Sequence, residues 1–98
     1  MTSDVSHSPR SGLATAHRQG SQAGTLTYSV SRRSDPEVWT LYSTRVDPDH
    51  EGRGVGSDLV RIVLDDARSA GAVVDPTCWF VAGWIRRHPD YEDLLAPR

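Results

Sequence analysis

From Thr25 to Ser31 apolar and polar residues alternate one by one, with Leu26, Tyr28 and Val30 on one side and Thr25, Thr27, Ser29 and Ser31 on the other. A period of two marks a half-buried strand. Val38 to Val46 gathers Trp, Thr, Leu, Tyr and Val, which favour strands, and the turn-forming run Arg33-Ser34-Asp35-Pro36 joins the two segments. The pair predicts an antiparallel hairpin. Asp47-Pro48-Asp49-His50 ends the second strand, because proline donates no ladder hydrogen bond and Asp seeds turns. The period then changes. Val55, Leu59, Ile62, Val63, Asp66 or Ala67, and Ala70 recur at three- and four-residue spacing opposite Asp58, Arg61, Asp65 and Arg68, and Gly71 stands where a C-terminal cap belongs. This predicts an amphipathic helix of about four to five turns, with Arg61 and Asp65 paired on a solvated face.

Ala72 to Val74 predicts a short strand broken by Asp75-Pro76, after which Thr77 caps a second helix. That helix has the buried stripe Phe80, Val81, Trp84 and Ile85, ends near His88-Pro89, and leaves a tail, Tyr91 to Arg98, for one further turn. Residues 1 to 22 are rich in Ser, Gly, Gln, Thr and His with little to bury, so this stretch reads as loosely held, with 1–12 flexible. A weak strand runs from Leu13 to Arg18. Strands, helix, strand, helix in that order make an α+β domain.

The chain has 98 residues, 37% of them hydrophobic and 24% charged, which is enough for one small domain over 1–98 and too apolar for a disordered chain. A net charge of −2 offers no basic field for nucleic acid or anionic lipid. All eleven basic residues are Arg, the bias of a GC-rich coding sequence and so of a bacterial source. Cys78 is the one cysteine, which excludes an internal disulfide and a Cys-cluster zinc site and suits the reducing cytoplasm. His7, His17 and His50 share no metal-ligand spacing. No apolar run approaches the roughly 20 residues of a membrane helix, and the start lacks the form of a signal peptide. A soluble protein is expected.

The informative stretch is Glu51-Gly52-Arg53-Gly54-Val55-Gly56-Ser57, between a strand and an amphipathic helix. Glycines at a helix start let a ligand approach the backbone, and the first-turn N–H groups with the positive dipole end favour phosphate. Read as spacing alone, the glycines also suit a plain tight loop. A Walker A loop needs a Lys that this chain lacks, and a dinucleotide fingerprint needs a further Gly and a longer strand-helix array. What remains is a diphosphate-bearing ligand held by one loop and one helix.

Glu51 to Gly56 resembles the acetyl-CoA loop of the GNAT superfamily of N-acetyltransferases, Q/R-x-x-G-x-G/A, with Glu51 in the Gln/Arg place. The resemblance runs through Ala23 to Tyr28, Gly56 to Ala70, Pro76 to Val81 and Ile85 to Tyr91, and is greatest to the minimal branch of about a hundred residues. It implies a small, mostly antiparallel sheet with two main helices, and acetyl transfer from acetyl-CoA to an amine on a small molecule or protein. It further implies that the strand before the loop splays from its neighbour, so that Thr44 and Val46 meet the pantetheine arm and Arg53, Gly54, Val55, Gly56 and Ser57 meet the diphosphate. Cys78 takes the place of a cysteine typical of the branch, near the acetyl group, and is the catalytic candidate; its other reading is a small buried hydrophobe. Members of the branch tend to carry His-Thr-Glu-Val where this chain has Ser43-Thr44-Arg45-Val46, so a non-catalytic CoA-binding module is the alternative. A plain interaction domain is a third reading. His88 reads as a helix-end residue bonded to backbone carbonyls, Arg86 and Arg87 as solvated charges or adenosine-phosphate partners, and Trp79, Phe80 and Trp84 as core or acceptor wall. No metal is assigned, and the exposed edges of a small sheet suit a monomer or a homodimer.

Overall fold

The alternating stretch is the middle of a longer strand, β3 (Ser21–Ser31), which pairs antiparallel with β2 (Leu13–Arg18) on one side and β4 (Val38–Val46) on the other. The computed structural model describes residues 4–33 and 35–97, so Ser34 of the expected turn, residues 1–3 of the start expected to be flexible, and Arg98 of the tail lie outside the described residues. Among the described residues one sheet forms in the order β1-β2-β3-β4-β5, with β1 (Asp4–Ser8) and β5 (Val73–Pro76) at its edges. Neighbours are antiparallel except β4 and β5, which are parallel because helix α1 (Val55–Ser69) carries the chain back between them. This mixed sheet with few helices is the α+β architecture that the chain order predicts.

Strand β1 corrects the expectation of a loosely held start for residues 4–12. Its polarity hides it: His7 turns inward with a side chain only 4% exposed. Its Nδ1 lies 2.5 Å from Asp66 Oδ2 and its Nε2 2.5 Å from the Tyr28 hydroxyl, so both ring nitrogens are satisfied. The link from β1 to β2 depends on Gly12, which has φ +67° and a carbonyl that accepts from Tyr28 N at 2.9 Å.

Helix α1 crosses all five strands. Its buried stripe is Val55, Leu59, Val60, Val63, Leu64 and Ala67, rotated from the predicted one, so that Ile62 and Ala70 are exposed. Gly71 ends the helix at φ +71°. Its N–H bonds to Arg68 O (3.1 Å) and the Ala72 N–H to Ala67 O (2.9 Å), which satisfies the last-turn carbonyls and sets Ala72 against Ala67 in the core. Arg61 pairs with Asp58 at 3.9 Å rather than with Asp65, whose carboxylate accepts from the Tyr91 hydroxyl at 2.8 Å.

Strand β5 includes Asp75 and Pro76 instead of stopping before them. Proline fits there because the outer edge needs no donor from it. The same edge is closed two residues earlier, where Ala96 N donates to Val74 O at 2.8 Å. Helix α2 (Trp79–Arg87) starts after Cys78, which takes the N-cap position expected for Thr77, and the tail forms a 3-10 turn over Pro89–Leu94. Val81, Trp84 and Ile85 of α2 join Leu26, Trp39 and Leu41 of the sheet in one core. No helix among the described residues is long and apolar enough to cross a membrane.

Candidate functional site

The parallel pairing of β4 and β5 stops where Leu41 meets Pro76. Beyond it the Leu41 carbonyl accepts from both Thr77 N and Cys78 N, each at 3.1 Å, and from the Thr77 hydroxyl at 3.4 Å. One carbonyl therefore holds the fork at which α2 turns away while β4 continues beside β3 to Val46. The result is a gap with Tyr42–Val46 on one bank and Cys78 with the first turn of α2 on the other.

A bulge decides which backbone groups face that gap. Thr27 lies opposite Ser43 and Tyr28 opposite Leu41, so Tyr42 is an extra residue on β4. One inserted residue reverses the alternation. Before the bulge the Glu37 and Leu41 carbonyls point toward β5, whereas after it Asp47 N donates to Ala23 O (2.7 Å) on the β3 side. Alternation back from Asp47 puts Arg45 and Ser43 on β3 and turns the N–H and C=O of Thr44 and Val46 into the gap.

Cys78 faces the same space. Its thiol lies 3.7 Å from Thr44 Oγ1. Partial burial pushes the thiol pKa up, but the nearby Val81 N–H, the Thr44 hydroxyl, and the N–H groups of Phe80 and Thr44 favour the thiolate, outweigh that and hold it below its ordinary value. The cause is its N-cap position: no cap hydrogen bond to the thiol forms, but the orphan N–H groups of the first turn of α2 lie near enough to favour negative charge on the sulfur.

Above the gap the loop over Asp47–Gly54 begins with a 3-10 turn, Pro48–His50, capped by the Asp47 carboxylate, which accepts from Asp49 N at 3.0 Å. It ends at Gly54, whose φ of +77° suits glycine and which caps α1 without a side chain. The first N–H groups of α1, those of Val55, Gly56 and Ser57, thus meet no cap, and a cavity of about 260 Å³ opens there against Val46 and Phe80. A Cβ on Gly54 would meet nothing within 4 Å, so the backbone presents an open cradle at the positive end of a 15-residue helix. Donors, dipole and space fit a diphosphate group.

Gly56 has a different reason to be glycine. A Cβ there would lie 2.7 Å from Phe80 Cζ, so Gly56 makes room for the ring that floors the cavity rather than for a ligand. Val55 is buried, Ser57 lines the cavity, and Arg53 is exposed ahead of Gly54 and outside the cavity wall. The structure therefore groups Thr44, Val46 and Cys78 in the gap and Gly54, Val55, Gly56 and Ser57 at the cavity, with Arg53 apart. Phe80 is the residue that spacing alone did not assign to the loop. Its half-buried place in an otherwise buried helical stripe is visible only once α2 is docked. Of the other aromatics, Trp84 is core and Trp79 is 83% exposed beside Cys78. His88 is the helix-end residue expected, with Nδ1 2.7 Å from Trp84 O. Among the described residues no group of three or more His, Cys, Asp or Glu is placed to hold a metal ion.

A family model described as GCN5-related N-acetyl-transferase matches residues 13–94. Among solved structures, a GCN5-like protein from Staphylococcus aureus superposes with TM-score 0.70 at 17% identity, over 97% of this chain and 89% of that one. The ribosomal-protein-alanine N-acetyltransferase of Brucella melitensis gives TM-score 0.61 at 17% identity, covering 88% of this chain and 64% of that one. The N-acetylglutamate synthase of Neisseria gonorrhoeae, solved with coenzyme A and N-acetyl-glutamate, gives 0.62 at 18% identity, covering 83% of this chain and 20% of that one. The chain thus spans less than two thirds of the latter two proteins, and at these identities the likeness is one of fold. No curated protein sequence matches it.

Proposed function

The chain belongs to the GCN5-related N-acetyltransferases, and from that premise we propose that it binds acetyl-CoA across the gap and loop and passes the acetyl group to an amine. The observation that carries the reading is the coincidence of two features: a strand fork that leaves the backbone of Thr44 and Val46 unpaired with β5, and an uncapped helix start at Gly54 that shares its cavity with Val46. When bound, acetyl-CoA supplies an acyl thioester with a carbonyl carbon open to attack. The first-turn N–H groups of α1 hold the diphosphate, and the Ser57 hydroxyl adds a donor. Thr44 and Val46 offer N–H and C=O groups to an amide-bearing arm laid along β4, as a missing strand would be paired. Cys78 holds its proton loosely at the head of that arm, so its sulfur suits acceptance of an acyl group, and Thr44 keeps it oriented.

The small fold suits an open acceptor site, one that takes a small amine or a protein amine. The setting is the cytoplasm, where a lone thiol stays reduced. A second reading is favoured by one observation. The exposed Arg45 stands beside Thr44 where the branch tends to carry a carboxylate, so a CoA-binding module without an acid-base pair has the same geometry. Titration calorimetry with acetyl-CoA and with CoA tests both. Saturable binding is expected, release of free CoA on adding amine acceptors separates enzyme from module, and no binding at millimolar ligand refutes both.

A further inference from the structure

Trp84 is fully buried, and its indole N–H donates to Ser57 Oγ at 3.0 Å, joining α2 to the first turn of α1. An indole N–H can only donate, so Ser57 Oγ is the acceptor in this bond. The hydroxyl's own hydrogen must then point elsewhere, and Ser57 lines the loop cavity. The indole is not free to release it. Its ring stacks on His88 with centroids 3.8 Å apart and planes at 14°, meets Tyr91 edge-on at 5.1 Å, and lies 5.7 Å from the Arg61 guanidinium. His88 is itself fixed by the bond from its Nδ1 to Trp84 O, so stack and hydrogen bond lock one another.

We infer that Trp84 is a positioning residue for diphosphate binding: by occupying one side of Ser57 Oγ it keeps the hydroxyl hydrogen turned into the cavity, ready to donate to a phosphate oxygen. The inference rests on the CoA-binding reading above and deepens it. Trp84 touches no ligand and acts only through Ser57. A phenyl ring at 84 fills much of the same core but leaves the hydroxyl free to rotate, and a rotor that must be ordered on binding weakens the contact.

The test measures binding of CoA and of pantetheine, which lacks the phosphates, to the full chain and to Ser57→Ala, Trp84→Phe and the double variant. Loss of a hydrogen bond to a charged oxygen is worth roughly tenfold or more in affinity, so Ser57→Ala weakens CoA by about tenfold and Trp84→Phe by about three- to tenfold. The double variant binds no worse than Ser57→Ala, and pantetheine affinity stays level throughout. Ser57→Ala leaves the indole in the core, so it reads the contact even where Trp84→Phe folds poorly. Equal weakening of both ligands by Trp84→Phe, or additive effects in the double variant, makes Trp84 a packing residue and overturns the inference. If the parent chain binds CoA and Ser57→Ala does so equally well, the positioning role alone falls. If the parent chain does not bind CoA, the reading beneath it falls too.

Discussion

Replacing Gly54 separates the backbone demands of the loop from its electrostatics. At φ +77° an alanine is strained by about 1–2 kcal/mol, but its Cβ would meet nothing within 4 Å, so Gly54→Ala changes the fold's stability and little else. For a domain of this size that is a fall in Tm of roughly 4–16 °C. Gly54→Asp carries similar strain, eased because Asp tolerates this region better and because a carboxylate at a helix N-terminus gains about 0.3–1 kcal/mol from the dipole. It is therefore at least as stable as the alanine variant. Its effect on ligand is opposite in sign. A carboxylate about 5 Å from a phosphate charge is repelled by roughly 1–3 kcal/mol over effective dielectrics from about 80 to 20, and two phosphates raise this to about 2–6 kcal/mol. CoA affinity then falls at least about 30-fold in Gly54→Asp and less than about tenfold in Gly54→Ala. Calorimetric titration with CoA alongside thermal melts reads both quantities. Equal CoA affinity in the two variants, or parent-like binding by Gly54→Asp, refutes the phosphate cradle.

Three further outcomes follow from single observations. Gly12→Ala places a Cβ 2.0 Å from the Tyr28 carbonyl oxygen at φ +67°, so it destabilises by about 3 kcal/mol or more in denaturant unfolding; a loss below about 1 kcal/mol means the β1–β2 link is misplaced. The alkylation rate of Cys78 rises with a midpoint below the ordinary thiol value, and Thr44→Val moves that midpoint upward; an unshifted midpoint in the parent removes Cys78 as a nucleophile, as does full turnover in Cys78→Ala. Tyr28, pushed up to about 12 by burial and then by the Asp66 and Glu37 charges, favours folding while neutral. Because the folded value lies above the unfolded one, that contribution is complete below pH 10, is lost as pH rises toward 12, and amounts to on the order of 2 kcal/mol. A stability profile that is flat over that window, or one equally steep in Tyr28→Phe, contradicts it.

Local chemistry made much of the fold legible. The alternation of Thr25 to Ser31 needs only a period of two, the bounds of β4 at Val38 and Val46 need only a run of strand formers between two turns, and Gly71 announces the end of α1 because only the left-handed region closes the last carbonyls there. The glycine loop was legible for the same reason. Strand β1 was not, since His7 becomes an inward residue only through Asp66 and Tyr28, 59 and 21 positions away. Nor was the end of β5, because Pro76 is tolerated only where the outer edge asks for no donor.

By itself the sequence determined β2 to β4, the two helices, the glycine start of α1 and the presence of a single thiol, all properties of neighbouring residues. Tertiary structure decided which of these meet. The extra residue at Tyr42 turned Thr44 and Val46 toward the gap, Leu41 O held the fork that puts Cys78 against Thr44, Phe80 gave Gly56 its reason, and Trp84 reached Ser57. Register, bulge and helix docking depend on contacts between distant residues, and no local period encodes them.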